Sequence, residues 1–130
     1  MSRVIVSIPG GTYAVKPATV AHARHSWAAQ RLAEWCETDL YTGPLRIEWY
    51  LDPEAASPGA QRRALRAFVN EDEPCVIHVR ADQSELETLR SVGHEAYHLY
   101  EYREGRTPDE QRAEAYGRRV ADQYLQGDIR

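Results

Sequence analysis

Two histidines and a glutamate stand at a spacing that suits metal chemistry, in the pentapeptide His94-Glu95-Ala96-Tyr97-His98. On a helix, residues four apart project from one face, a turn apart, so both imidazoles can bind one cation. Glu95 follows the first histidine directly, which turns its carboxylate toward the open side of the cation, where a water would sit. The pentapeptide therefore predicts a zinc site with His94 and His98 as ligands and Glu95 as the general base.

The sequence around the pentapeptide has the periodicity of an amphipathic helix from Gln83 to Arg103. Asp82 or Ser84 can cap its N-terminus, and Gly105 is placed to end it. The motif is thus expected on a helix, as its chemistry requires, and the alternative is a solvated histidine pair on a polar helix face. The apolar residues that recur three and four apart are Leu86, Leu89, Val92, Ala96 and Leu99.

A further helix is predicted after this one, from Thr107-Pro108-Asp109-Glu110 to about Gln126. Thr107 can cap it, Pro108 can take the first helical position, and Glu110 can complete a capping box. Gly127 stands where a left-handed C-terminal residue is needed.

This further helix is expected to supply the third protein ligand that a catalytic zinc usually has. If it returns alongside the first with a rise of about 1.5 Å per residue, Glu114 comes level with His98. By the same rise Glu110 stops about 6 Å short of that level, and Asp122 overshoots it. Glu114 is therefore the predicted third ligand, and the alternative is a surface carboxylate on a charged helix.

An earlier helix is predicted from Pro17 to Thr38 or Asp39, because apolar residues recur there at helical spacing. It carries His22 and His25, which are three apart and could hold a metal. No acidic or thiol residue lies at ligand spacing near them, so a structural role is the simpler interpretation.

Alternating apolar residues predict the strands. Arg3–Ile8 is followed by Pro-Gly-Gly, and Leu45–Leu51 is expected to stop at Asp52-Pro53. A hairpin is expected to pair Leu65–Asn70 with Cys75–Arg80, although Ala60–Ala67 also has a helical composition. The predicted fold is α+β and zincin-like: a small, mostly antiparallel sheet of three to four strands, about three helices, and the motif on the central helix.

The composition indicates one globular domain over residues 1–130, with 42% hydrophobic and 28% charged residues. A net charge of −4 argues against nucleic acid or an anionic membrane as the main partner, despite small basic groups such as Arg62-Arg63 and Arg118-Arg119. Cys36 and Cys75 are too few for a disulfide framework. The N-terminal apolar run is too short for a signal peptide or a membrane span, so a cytoplasmic location is expected.

With these parts in place, the chain resembles the minimal gluzincin-like peptidases, and most closely the ImmA/IrrE family of small metallopeptidases, with SprT-like proteases as a near alternative. The likeness covers Leu65 to Tyr124 and rests on the strand Cys75–Arg80, the HExxH pentapeptide and the pair Glu114-Ala115. It implies a zinc site of His94, His98 and Glu114, with Glu95 as the catalytic residue. The third histidine of a metzincin is absent. Two departures are Arg118-Arg119 in place of an aromatic-alanine pair and Arg118 in place of the aspartate of ExxxD.

The sequence therefore predicts a zinc endopeptidase that acts on a protein or peptide, and the resemblance implies a regulatory protein. Residues that could stabilise the oxyanion are Tyr97, Tyr100, Tyr116 and His78. The edge of Cys75–Arg80 could align an extended peptide. The alternatives are a binding module with a structural zinc and, suggested only by scattered arginines, a nucleic-acid-associated protein.

Overall fold

Five strands and three α-helices are found in the part of the chain that the computed structural model describes, which is residues 3–8, 11–55 and 65–129. The α+β class is confirmed, but the expectation of three to four strands is wrong. The elements are β1 (Val4–Ile8), β2 (Gly11–Ala18), a short 3-10 helix (Val20–His22), α1 (Ser26–Leu40), β3 (Arg46–Ala55), β4 (Ala67–Phe68), β5 (Val76–Arg80), α2 (Glu85–Arg103) and α3 (Glu110–Leu125).

The strands form one mixed sheet in the order β1-β2-β3-β5-β4. β3 and β5 are parallel, and the other neighbouring pairs are antiparallel. The predicted hairpin is confirmed, because Ala67 pairs with Val79 and Phe68 with His78. Most of the alternative helix over Ala60–Ala67 lies outside the described residues. The pair Arg62-Arg63 lies outside them entirely.

The strand β2 was not predicted, and the expectation that Pro17 starts a helix is wrong. Pro17 lies in β2 opposite Tyr50 of β3. The pairing of β2 with β1 ends at Val15, so Pro17 lies beyond the ladder on that side, where its missing N–H is tolerated. Helix α1 begins only at Ser26, after the short 3-10 helix.

The expectation that Asp52-Pro53 stops β3 is also wrong, because the strand continues to Ala55. Leu51 pairs with Lys16 and Glu54 with Ala14, so two residues of β3 stand opposite one residue of β2. Asp52 has a φ of 50°, in the left-handed region that aspartate tolerates better than most residues. A β-bulge therefore absorbs the proline without ending the strand.

Helix α2 packs between the sheet, α1 and α3. Ser84 caps it by accepting a hydrogen bond from the backbone N–H of Glu87 at 3.2 Å, and Gly105 adopts a φ of 68° after its end. Its residues Leu89, Val92 and Ala96 have no exposed surface and belong to the main core. Burial of this face fixes the opposite face of α2, with its histidines, toward α3 and β4.

Two glycines allow α2 and α3 to approach each other closely. A Cβ added at Gly117 would lie 2.5 Å from the carbonyl oxygen of Arg90 and 3.0 Å from the backbone nitrogen of His94. A Cβ added at Gly93 would lie 2.6 Å from Cγ2 of Val120 and 2.9 Å from Cα of Gly117. A real Cβ essentially never comes closer than 3.0 Å to another atom, and at least one separation at each glycine is shorter, so this crossing requires both positions to lack a side chain.

None of the helices in the described residues combines the length and the apolar character needed to cross a membrane.

Candidate metal centre

The two histidines of the motif point their Nε2 atoms at one place beside α2. His94 Nε2 and His98 Nε2 are 3.1 Å apart, and the two rings meet edge to face at an interplanar angle of 71°. Two nitrogens bound at about 2.1 Å to a tetrahedral zinc would be about 3.4 Å apart. The observed separation is close to that value, so the pair has nearly the spacing that two zinc ligands need.

A carboxylate from the next helix closes this arrangement, and it belongs to Glu110. One oxygen of Glu110 lies 3.1 Å from His94 Nε2, and the other lies 2.8 Å from His98 Nε2. The expectation that Glu110 stops short of the site is therefore wrong. An argument from helical rise alone places backbones and neglects the reach of a glutamate side chain.

The N-terminus of α3 explains why Glu110 is available. Asp109, rather than Thr107, is the N-cap, and its side chain accepts a hydrogen bond from the backbone N–H of Arg112 at 3.1 Å. The predicted cap by Thr107 and the capping box with Glu110 are therefore wrong. Glu110 is the first residue of α3, and its side chain is directed to the histidines instead of the cap.

Glu114, predicted as the third ligand, contacts the other ring nitrogen of His94. Its Oε2 lies 3.1 Å from His94 Nδ1, and its Oε1 accepts a hydrogen bond from Arg118 Nε at 3.2 Å. Partial burial would raise the pKa of Glu114, but the hydrogen bond and charge of His94 and the interactions with Arg118 outweigh it and hold that pKa below its usual range. Its role as a direct ligand stays a prediction, whereas the observed contact orients His94.

Glu101 holds His98 in the corresponding way, and the sequence analysis missed it. Its Oε1 lies 2.8 Å from His98 Nδ1, and its Oε2 accepts the backbone N–H of Asp109 at 2.9 Å. Glu101 is 2% exposed, so one buried carboxylate fixes both the imidazole and the start of α3. The sequence feature that could have revealed Glu101 is its position three residues after His98, which places the two on one helical face.

These two carboxylates determine which histidine nitrogens can bind a metal. An ionised carboxylate only accepts hydrogen bonds, so Nδ1 of each histidine donates to its glutamate. With a cation at the common point next to Glu110, the Nε2 atoms would be the ones that turn their lone pairs to it. Metal-binding histidines are oriented in this way by carboxylate partners in general.

Glu95 lies beside the histidines with an unsatisfied oxygen. It is 8% exposed, and its Oε2 is buried with no hydrogen-bond partner in the described residues. Burial raises the pKa of Glu95, against the lowering effect of His94 and His98. One ligand atom from each of Glu95, His94 and His98 falls within 4.8 Å of the others. A buried carboxylate without a partner is costly, so this oxygen fits a site that takes up a further polar group.

The candidate centre opens into a cleft of about 440 Å³ between β4, α2 and α3. Ala67 and Phe68 line it on the sheet side, whereas His94, His98 and Glu110 line it on the helical side. The centre therefore opens into a cleft whose volume is in the range of ligand-binding pockets, about 300–1,000 Å³.

Known proteins give no guide to this centre: no family model, no curated protein and no solved structure matches the chain. The likeness to the ImmA/IrrE family and the zincin-like fold therefore stay predictions, which rest on the motif and its neighbours.

The other sequence candidates lie elsewhere. His22 contacts Thr19, and His25 lies 4.0 Å from Glu85, so neither joins a metal-binding cluster in the described residues. The four residues considered for the oxyanion do not line the cleft, because Tyr97, Tyr100 and Tyr116 pack together and His78 stacks on Phe68. The tyrosines that do line it are Tyr13 and Tyr102.

Proposed function

We propose that this chain is a zinc-dependent peptidase in which His94, His98 and Glu110 hold the ion and Glu95 is the general base. One observation carries the proposal: the Nε2 atoms of both histidines and the two oxygens of Glu110 face one another at 2.8 to 3.1 Å. Three such donors leave a fourth position of a tetrahedral zinc open, which is typical of catalytic zinc. We also propose a cytoplasmic location, since Cys36 and Cys75 are both free thiols.

The donor set favours zinc and catalysis over a purely structural metal. Two imidazoles and one carboxylate suit zinc, whereas structural zinc sites usually have four protein ligands, often cysteines. Cys36 is buried in the core, and Cys75 does not line the cleft. A non-catalytic module with a structural zinc is the second candidate, and it would require a fourth protein ligand such as Glu114.

The chemistry follows from the positions of the side chains. A zinc ion held by His94, His98 and Glu110 would supply Lewis-acid chemistry and a water that is nucleophilic near neutral pH. Glu95 accepts the proton of the attacking water as the new C–O bond forms, and then delivers it to the leaving amine as the C–N bond breaks. The carboxylates of Glu101 and Glu114 keep both histidines oriented throughout.

The strand that could pair with a substrate peptide differs from the one that the sequence predicted. Both sides of β5 are occupied, by β3 and β4, so the expectation that β5 aligns a peptide is wrong. Among the described residues, β4 is the edge strand next to β5, and its residues Ala67 and Phe68 line the cleft. We propose that an extended peptide, from a regulatory protein if the family likeness holds, pairs with β4 across from the histidines.

The test compares zinc-loaded wild type with Glu95→Gln on a peptide library analysed by mass spectrometry. We expect wild type to cleave and Glu95→Gln to bind about one zinc but to lose at least about 100-fold in rate. Glu104→Gln, which removes the same charge from an exposed residue outside the cleft, is the control. Cleavage that survives in Glu95→Gln, or a zinc-loaded wild type that cleaves nothing, would refute the peptidase proposal.

A further inference from the structure

Three arginines line the cleft beside the N-terminal half of α2: Arg66 just before β4, Arg90 on α2 and Arg118 on α3. Two glutamates, Glu87 and Glu114, line the same part of the cleft. Arginines and glutamates therefore stand side by side here, and what matters is which arginine is left without a partner.

Two of these arginines are paired within the protein, and Arg90 is not. Arg66 Nη2 lies 3.6 Å from Glu87, and Arg118 Nε lies 3.2 Å from Glu114. Arg90 has no ion pair or side-chain hydrogen bond with any residue the structure describes, and its Nε is buried without a partner. Within the described residues, Arg90 Nε and Glu95 Oε2 are the buried side-chain atoms left in this state, and both belong to cleft-lining residues. Glu95 has a role in the proposed chemistry, whereas Arg90 has none yet.

The position of Arg90 relates it to the metal centre. It is four residues before His94, so the two side chains are neighbours on one face of α2, about 5–6 Å apart at Cβ. Its backbone is held against α3, where Gly117 allows the close contact with its carbonyl oxygen. An extended peptide advances about 3.3 Å per residue, and Arg90 lines the same cleft as His94, so a group bound to Arg90 would lie within a few residues of the scissile bond.

On the basis of the peptidase function proposed above, we propose that Arg90 binds a carboxylate of the substrate. The preferred substrates are then peptides with an Asp, a Glu or a free C-terminal carboxylate within a few residues of the bond that is cleaved. A guanidinium matches a carboxylate with two parallel hydrogen bonds, and Arg90 Nε has no partner among the described residues. The chain has a net charge of −4, and an arginine without an ion-pair partner in the cleft offers an acidic substrate a local attraction.

The test uses three peptides that share one sequence: Glu near the scissile bond with an amidated C-terminus, Gln with an amidated C-terminus, and Gln with a free C-terminal carboxylate. We expect zinc-loaded wild type to prefer one carboxylate peptide over the neutral peptide by about 10- to 100-fold in kcat/KM. A preference for Glu identifies a side-chain carboxylate, and a preference for the free terminus identifies an α-carboxylate.

Variants then assign the preference to Arg90. We expect Arg90→Gln to reduce it to less than about 3-fold, and Arg90→Lys, which keeps the charge without the planar fork, to retain part of it. Arg31→Gln is the matched control, because Arg31 stacks on Trp27 and does not line the cleft. Zinc content and circular dichroism verify that each variant is folded.

The outcomes separate this proposal from the peptidase function. If wild type cleaves all three peptides equally, or if Arg90→Gln keeps the full preference, the role of Arg90 is refuted and the peptidase function stands. Binding to zinc-loaded Glu95→Gln, measured by calorimetry, gives a readout without catalysis. A further outcome is that wild type cleaves none of the peptides while zinc-loaded Glu95→Gln binds a carboxylate peptide more tightly than the neutral peptide. In that case the carboxylate site stands and the peptidase function fails.

Discussion

Glu101 and His98 form a buried pair in which the carboxylate Oε1 lies 2.8 Å from Nδ1, while Oε2 accepts the backbone N–H of Asp109. The same side chain thus orients one proposed ligand and holds the residue that precedes another, Glu110. The metal centre therefore depends on the α2–α3 connection as well as on the HExxH sequence.

Glu101→Gln is expected to lower zinc affinity by about 10- to 100-fold, because the amide cannot accept at both positions as the carboxylate does. Competition with a chromophoric chelator measures the affinity. Glu104→Gln, on an exposed residue, should leave it unchanged. Equal affinity in wild type and Glu101→Gln would show that this pair does not support the metal site.

Glu110→Gln and Glu114→Gln are expected to weaken zinc binding to different extents. Loss of a direct ligand should weaken zinc binding more than the roughly 10- to 100-fold expected for loss of an orienting carboxylate, so Glu110→Gln should be the weaker binder. The same chelator competition ranks the two variants. If Glu114→Gln proved the more damaging, Glu114 would be the third ligand, as the sequence predicted.

Gly117→Ala is expected to separate α2 from α3. The new methyl group would lie 2.5 Å from the Arg90 carbonyl oxygen, and backbone cannot yield as a flexible side chain can. We expect a loss of about 1–3 kcal/mol in unfolding free energy and weaker zinc binding. Chemical denaturation with and without zinc measures both, and Gln111→Ala, at an exposed position of α3, is the control. Wild-type stability in Gly117→Ala would refute the close crossing.

The two cysteines are expected to react at very different rates with a thiol reagent at pH 8. Cys75 is exposed, whereas Cys36 has no exposed surface, and burial raises the pKa of its thiol to about 12. The thiolate is the reactive form, so Cys36 should react only after unfolding. Mass spectrometry of the labelled protein should show one modification in buffer and two in denaturant. Rapid double labelling in buffer would contradict the buried position of Cys36.

Local patterns predicted the parts of this fold that local interactions determine. The period of 3.6 residues placed the motif on α2, and alternation around a polar turn predicted the β4–β5 hairpin. The strand β2 was missed because Pro17 favours a helix start locally, and its place in the sheet depends on pairing with distant β3. The bulge at Asp52 depends on the same pairing.

The candidate site was predictable to a similar extent. His94, Glu95 and His98 follow from their spacing within one helix, but the carboxylates around them depend on how two helices cross. That crossing depends on Gly93 and Gly117, because a Cβ at either position would collide with atoms of the other helix. The sequence does not show which atoms those are. From the sequence we therefore predicted that Glu114 lies at the site, but not that it contacts Nδ1 of His94. We also predicted, wrongly, that Glu110 serves in the helix cap.

The central claim is a three-ligand zinc centre, and X-ray absorption at the zinc edge of the loaded protein tests it most directly. We expect about one zinc per chain, with two imidazole nitrogens at about 2.0–2.1 Å, a carboxylate from Glu110 at about 2.0–2.2 Å and a non-protein oxygen. The carboxylate contribution should be lost in Glu110→Gln and retained in Glu114→Gln. Failure to bind zinc, or a zinc with four protein ligands, would contradict the proposed catalytic centre.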